Sequence, residues 1–364
     1  MIPIAKPVIG EDEISAVTAV LRSGVIAQGR KVEEFEEAFA EFIGTKYAVA
    51  VNSGTAALHI ALMVHGIGEE DEVITSPFSF VASANSILFT GARPVFADTD
   101  EDSFNIGPDR IADKITPRTK AIMPVHLYGQ PCDMKKIMKI ADKHKLVIIE
   151  DACQAHGAEY EGKKAGSFGT GCFSFYATKN MITGEGGMIT TNDEGIAQKA
   201  RMIRTHGQKE RYLNEILGYN YRMTDIAAAI GVCQLRRLED FNNKRVRNAQ
   251  FLTEKLSGIK GLVPPHVGPN VKHVFHQYTI RVARDFAVSR DGLRKRLLDG
   301  GVGTEVYYPR PIHKQPLYQS LGYHDHLPNS EKAAGEVLSL PIHPSVAKKD
   351  LEHVADALIS CAKT

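Results

Sequence analysis

Leu146-Val147-Ile148-Ile149-Glu150-Asp151-Ala152-Cys153-Gln154-Ala155-His156-Gly157 is a short unbroken apolar run that stops at two acids and passes into small and polar residues. An apolar run without alternation is the pattern of a strand covered on both faces. Similar runs recur through the first two-thirds of the chain: Ala48 to Val51, Val73 to Thr75, Pro94 to Ala97, Ala121 to Val125, Cys172 to Phe175 and Met188 to Thr191. Helical patterns lie between them, such as Val32, Phe35, Phe39 and Phe42 at spacings of three and four. Buried strands alternating with helices predict an α/β fold, in which a mostly parallel central sheet is covered by helices. In open sheets of this kind, ligands bind just beyond the carboxyl ends of the strands.

Past Arg236 the pattern changes. A charged stretch that keeps Leu238, Phe241, Val246, Phe251, Leu252 and Leu256 predicts a long connecting helix. Beyond it, Gln277 to Val282 and Thr304 to Tyr308 suggest strands, and Ser289 to Leu298 and Lys348 to Ser360 suggest helices. A smaller C-terminal α+β domain is expected, with the chain dividing into residues 1–240 and 241–364. Two domains also suit 364 residues at about 150 per domain.

Composition narrows the partners. Lys plus Arg number 44 against 43 Asp plus Glu, a net charge of +1, which points away from nucleic acid and from an anionic membrane surface. Any bound phosphate must therefore be held locally. The five cysteines form no C-x-x-C pair, so neither a disulfide framework nor a metal centre is expected. His324-Asp325-His326 runs into Leu327-Pro328-Asn329 and reads as a solvated loop, not a metal cluster. The N-terminus lacks an apolar signal region, and no run approaches the ~20 apolar residues of a membrane span. A soluble, cytoplasmic protein is expected.

Three segments sit where the strand-end rule says to look. Asn52-Ser53-Gly54-Thr55-Ala56-Ala57-Leu58 follows a strand and opens a helix, where free N–H groups and the positive dipole end can seat a phosphate. An ordinary capped helix reads the same way. Asp151 ends a buried strand, where an unpaired acid costs several kcal/mol, so it needs a cation or hydrogen-bond donors. Those donors could belong to a positively charged ring nitrogen or simply to the next turn. Lys179 follows the run Cys172 to Phe175, and Gly184-Glu185-Gly186-Gly187 returns into Met188. A lysine held there can meet a carbonyl, although most lysines are merely solvated.

Taken together, these segments resemble the DegT/DnrJ/EryC1/StrS sugar aminotransferases, a branch of the aspartate-aminotransferase fold (fold type I). The resemblance runs through Ser53 to Leu58, Pro77-Phe78-Ser79-Phe80, Pro124 to Gly129, Glu150-Asp151 with Gln154 to Gly157, and Phe173-Ser174-Phe175 with Lys179. It continues in Gly184 to Gly187, Gly218-Tyr219-Asn220-Tyr221-Arg222-Met223, and Tyr308-Pro309 with His313. Cys153, where the family more often has alanine, and Gly169-Thr170, in place of a common Gly-Asp, depart from its pattern.

The resemblance implies pyridoxal 5'-phosphate as cofactor and Lys179 as the Schiff-base lysine that also moves the proton. It implies that Asp151 pairs with the ring nitrogen, Gln154 meets the ring hydroxyl side, and Phe80 stacks on the ring. Phe80 would serve equally as a core residue. Gly54, Thr55 and Ser174 would bind the phosphate, joined by Asn220 from a neighbouring subunit, which makes the active unit a homodimer with shared sites. Tyr308 and His313 would line the sugar side, or pack between domains. The implied reaction moves an amino group from L-glutamate to a nucleotide-linked 3- or 4-keto hexose, for amino-sugar and surface-polysaccharide biosynthesis. A cyclitol ketone as acceptor, or a non-catalytic regulatory homologue, are the alternatives. Relatives that act as dehydratases carry histidine in place of the lysine, and this chain keeps Lys179.

Overall fold

The computed structural model describes residues 1–362, and seven strands form its central sheet. They are β1 (Tyr47–Val51), β2 (Glu72–Thr75), β3 (Arg93–Phe96), β4 (Thr119–Met123), β5 (Val147–Asp151), β6 (Thr170–Ser174) and β7 (Gly187–Thr191). Each lies on one of the apolar runs. The order across the sheet is β1-β7-β6-β5-β4-β2-β3. All strands run in one direction except β7, which lies antiparallel between β1 and β6.

The main helices are α1 (Glu11–Ser23), α2 (Arg30–Ile43), α3 (Gly54–Val64), α4 (Ala82–Phe89), α5 (Met134–His144), α6 (Glu194–Arg204), α7 (Asp225–Leu256), α8 (Arg290–Asp299) and α9 (Lys348–Ala362). Successive strand residues face opposite sides, and both sides are covered here. Val49, Ala121, Met123, Ile149, Cys172 and Ile189 pack in one core with α3 and α6. Ala48, Ala50, Phe173 and Met188 pack in another with α2 and α7. Ile122 and Ile148 meet α5. That is why the strands read as continuous apolar runs. Phe35 and Phe39 of α2 are fully buried and pack on Phe175 at centroid distances of 5.1 and 5.4 Å. Burial of such a side chain stabilises by about 1.5–3 kcal/mol.

A second, antiparallel sheet joins β8 (Leu262–Val263), β9 (Tyr278–Val282) and β10 (Val337–Leu340) in that order. Leu293 and Leu297 of α8, Leu351, Val354 and Leu358 of α9, and Leu252 and Leu256 of α7 share its core. The first residues also reach this layer, because Ile2 pairs with Val302.

Two local expectations need correction. Helix α7 starts at Asp225, well before Arg236, and continues unbroken through residue 240. The Thr224 hydroxyl caps it by accepting the Ala227 N–H at 3.2 Å. Its first turns are mostly small apolar residues, which give little amphipathic contrast. Thr304 to Tyr308 is not a strand. Only Glu305 bridges to Ser339, after which the chain bends away towards Pro309 and Pro311, which lack the N–H a ladder needs. Among the described residues no helix is long and apolar enough to cross a membrane.

Candidate active site

Because β1, β2, β5 and β6 are parallel, the segments that follow them emerge on one edge of the sheet. Together they line a cleft of about 710 Å³, within the usual range for small-molecule sites. Gly54, Thr55, Phe80, Asp151, Gln154, Ser174, Lys179 and Tyr308 all face this cleft.

At one end, the Ser53 hydroxyl accepts the Ala56 N–H at 3.1 Å and caps α3. Ser174, the last residue of β6, approaches so closely that a Cβ on Gly54 would lie 2.7 Å from its own Cβ. The glycine thus lets a hydroxyl sit directly against a helix N-terminus, an arrangement that favours an anion. The return into β7 is similarly tight, since a Cβ on Gly187 would lie 2.3 Å from the Ser53 carbonyl oxygen.

Deeper in the cleft, Asp151 is 5% exposed. Its Oδ2 accepts the Ser83 hydroxyl at 2.7 Å and its Oδ1 accepts the Cys153 N–H at 3.2 Å. The preceding acid faces the other way. Glu150 is fully buried and accepts N–H groups of Gly166, Phe168 and Gly169 at 2.8 to 2.9 Å, with His126 Nε2 at 3.0 Å. One of the two acids therefore anchors the loop before β6, and the other serves the cleft.

Lys179 sits in the turn after β6, its backbone N–H donating to the Tyr176 carbonyl at 2.9 Å. Burial holds its amine below the usual 10.5, against the opposing pull of Cys153 and Asp151. A lowered value enriches the neutral amine, the nucleophilic and proton-accepting form. Phe80 is 57% exposed, with its ring 6.3 Å from that of Tyr308. Gln154 Oε1 accepts the Tyr128 N–H at 2.8 Å, and its Nε2 donates to the Tyr308 hydroxyl at 3.2 Å. Burial pushes the Tyr308 hydroxyl upward, so it stays protonated.

Two expected site residues lie outside the cleft. Asn220 is exposed on the segment after α6, its backbone pairing with Thr205. His313 is fully buried, with Nε2 3.2 Å from Glu331 and its ring 6.2 Å from Phe96. The 3-10 turn Ile312–Lys314 directs it into the core beside Phe96 and not into the cleft. His156 is likewise a core residue, packed on Phe173 and Phe175 and held near a pKa of about 3 by burial and by the Lys179 charge.

Several lining residues were given no site role from the sequence, among them Ser79, Ser83, Tyr176, Glu185, His276 and Tyr307. His276 lies before the amino end of β9, in the antiparallel sheet, where the strand-end rule gives no signal; burial pushes its imidazole well below 6.5. Among the described residues no group of three His, Cys, Asp or Glu side chains is arranged to hold a metal.

Residues 7–359 match the DegT/DnrJ/EryC1/StrS aminotransferase family. The chain is 43% identical to GDP-perosamine synthase of Caulobacter vibrioides, over 98% of this chain and 97% of that one. It superposes on the solved structure of S. venezuelae DesV with a TM-score of 0.93 at 38% identity, covering 97% of this chain and 94% of DesV. With Spr1654 of Streptococcus pneumoniae, solved in its PLP form, the TM-score is 0.94 at 28% identity, over 100% and 98% of the two chains. The chain therefore belongs to the DegT/DnrJ/EryC1/StrS family of sugar aminotransferases, a pyridoxal-phosphate-dependent family.

Proposed function

We propose that this chain moves an amino group from L-glutamate to the 3- or 4-keto group of a nucleotide-linked hexose, with pyridoxal phosphate as cofactor. The observation that carries the reading is the half-buried Lys179, which shares one cleft with the Asp151 carboxylate. The other residues present fit the cofactor: an anion seat at the start of α3, an exposed Phe80 face, and the buried Asp151 carboxylate.

When bound, the cofactor supplies an electron sink for the carbon that gains or loses the amino group. Lys179 is its covalent anchor. In its neutral form the Nζ would take a proton from the donor's α-carbon in one half of the reaction and return one to the sugar carbon in the other. Asp151 holds the ring nitrogen protonated. Thr55, Ser174 and the first backbone N–H groups of α3, which Gly54 lets come close, bind the phosphate. Phe80 would stack on the ring, Gln154 would meet its hydroxyl side, and Tyr308 would face the sugar.

Asn220 is exposed and lies outside its own chain's cleft, which suits a residue that serves a neighbour's phosphate. The proposed unit is accordingly a homodimer with shared sites. The relative named GDP-perosamine synthase supports a nucleotide-linked sugar as the acceptor.

The test is to mix cofactor-loaded protein with L-glutamate and a panel of nucleotide-linked keto hexoses. Equal amounts of 2-oxoglutarate and one amino sugar are expected. Turnover with a cyclitol ketone alone would reassign the acceptor, and no 2-oxoglutarate with any acceptor would overturn the donor.

A further inference from the structure

Behind the Asp151 carboxylate stands a short chain of hydroxyls that none of these roles uses. Ser83 Oγ donates to Asp151 Oδ2 at 2.7 Å, and Ser79 Oγ lies 2.9 Å from Ser83 Oγ. An ionised carboxylate only accepts, and a hydroxyl has a single proton to give. The Ser83 proton therefore goes to Asp151, and the Ser79 proton goes to Ser83. The chain runs one way, from Ser79 through Ser83 to the carboxylate. Ser79, Ser83 and Asp151 are 4%, 1% and 5% exposed, so little water competes.

We infer that Ser83, backed by Ser79, is a positioning residue that holds the Asp151 carboxylate turned toward the cationic ring nitrogen; this rests on the cofactor reading above. Donors to a carboxylate favour its charged form. A chain of such bonds polarises each member and strengthens the last one. Orientation matters as much as charge. Oδ1 is tied to the Cys153 N–H and Oδ2 to Ser83, so the carboxylate is held at both oxygens. The same two serines flank Phe80, so a single segment sets both the stacking face and the carboxylate.

The experiment compares cofactor-loaded wild type, Ser83→Ala, Ser79→Ala and Ser86→Ala. The readout is the rate at which pyridoxal phosphate escapes on dilution, followed by its absorbance at a series of falling pH values. Ser86 is the control, because its hydroxyl bonds to the Ser83 carbonyl and not to the carboxylate. Ser83→Ala is expected to release cofactor roughly tenfold faster, with acid-induced release beginning at higher pH. Ser79→Ala should shift both in the same direction by less, and Ser86→Ala should match wild type. Thermal unfolding of the cofactor-free variants checks that each is folded.

Wild-type release rate and pH limb in Ser83→Ala would overturn the role. So would a Ser86→Ala that behaves like Ser83→Ala, since packing alone would then explain the effect. Wild-type protein that takes up no pyridoxal phosphate would instead overturn the reading of the cleft, and the Ser83 role with it.

Discussion

Exchanging Glu150 for glutamine keeps the shape of the side chain and removes half of its accepting power. Oε1 accepts the N–H groups of Phe168 and Gly169 at 2.8 and 2.9 Å. Oε2 takes the Gly166 N–H at 2.8 Å and faces His126 Nε2 at 3.0 Å. His126 Nδ1 already accepts the Cys132 N–H at 3.0 Å, so the ring proton sits on Nε2 and points at Glu150. A glutamine oxygen can serve one of these pairs, but its NH2 must then face the other two donors. Leaving two buried donors unsatisfied costs about 1–3 kcal/mol each, hence about 2–6 kcal/mol in all. That is a large share of the ~5–15 kcal/mol that keeps a typical protein folded.

Urea unfolding of the cofactor-free protein should show this loss in Glu150→Gln. Glu41→Gln, at an exposed position, should stay within about 0.5 kcal/mol of wild type. Cofactor affinity should fall as well, because the anchored loop leads into β6, which ends at Ser174 just before Lys179. A Glu150→Gln protein as stable as Glu41→Gln would refute the idea that this carboxylate holds the loop.

Burial lowers the Lys179 value below 10.5, so between that lowered value and 10.5 the unfolded chain binds more protons than the folded one. Stability should therefore rise with pH through that window, and the cofactor-free Lys179→Met protein should melt above wild type at neutral pH, with the gap closing towards 10.5. Gly54→Ala, which would bring a Cβ within 2.7 Å of Ser174 Cβ, should lose about 1–3 kcal/mol in thermal unfolding and bind the cofactor less tightly in titration. Lys179→Ala and Asn220→Ala should each be inactive alone, yet regain activity when refolded together, because one of the two mixed sites then has both groups intact. Continued silence after mixing would place Asn220 in its own chain's site or outside catalysis.

The central sheet was legible because burial on both faces leaves no alternation to blur, and each of its strands shows as an apolar run. The strand-end rule then located the cleft, since parallel strands bring their carboxyl ends to one edge. The residues that escaped notice are those whose role depends on partners distant in sequence. Ser83 carries no signal until β5 brings Asp151 beside it, and nothing local distinguishes Glu150 from Asp151 until one faces a loop and the other the cleft. His313 shows the converse, a motif residue that a tight turn directs into the core. Thr304 to Tyr308 has a strand-like composition, yet the prolines that follow turn it into cleft wall.

Borohydride reduction of the pyridoxal-phosphate-loaded protein, followed by mass mapping of its peptides, tests the central assignment most directly. The cofactor is expected on the peptide that carries Lys179, with no labelling of Lys179→Ala. Cofactor fixed to a different lysine, or a loaded protein that cannot be labelled at all, would contradict the account.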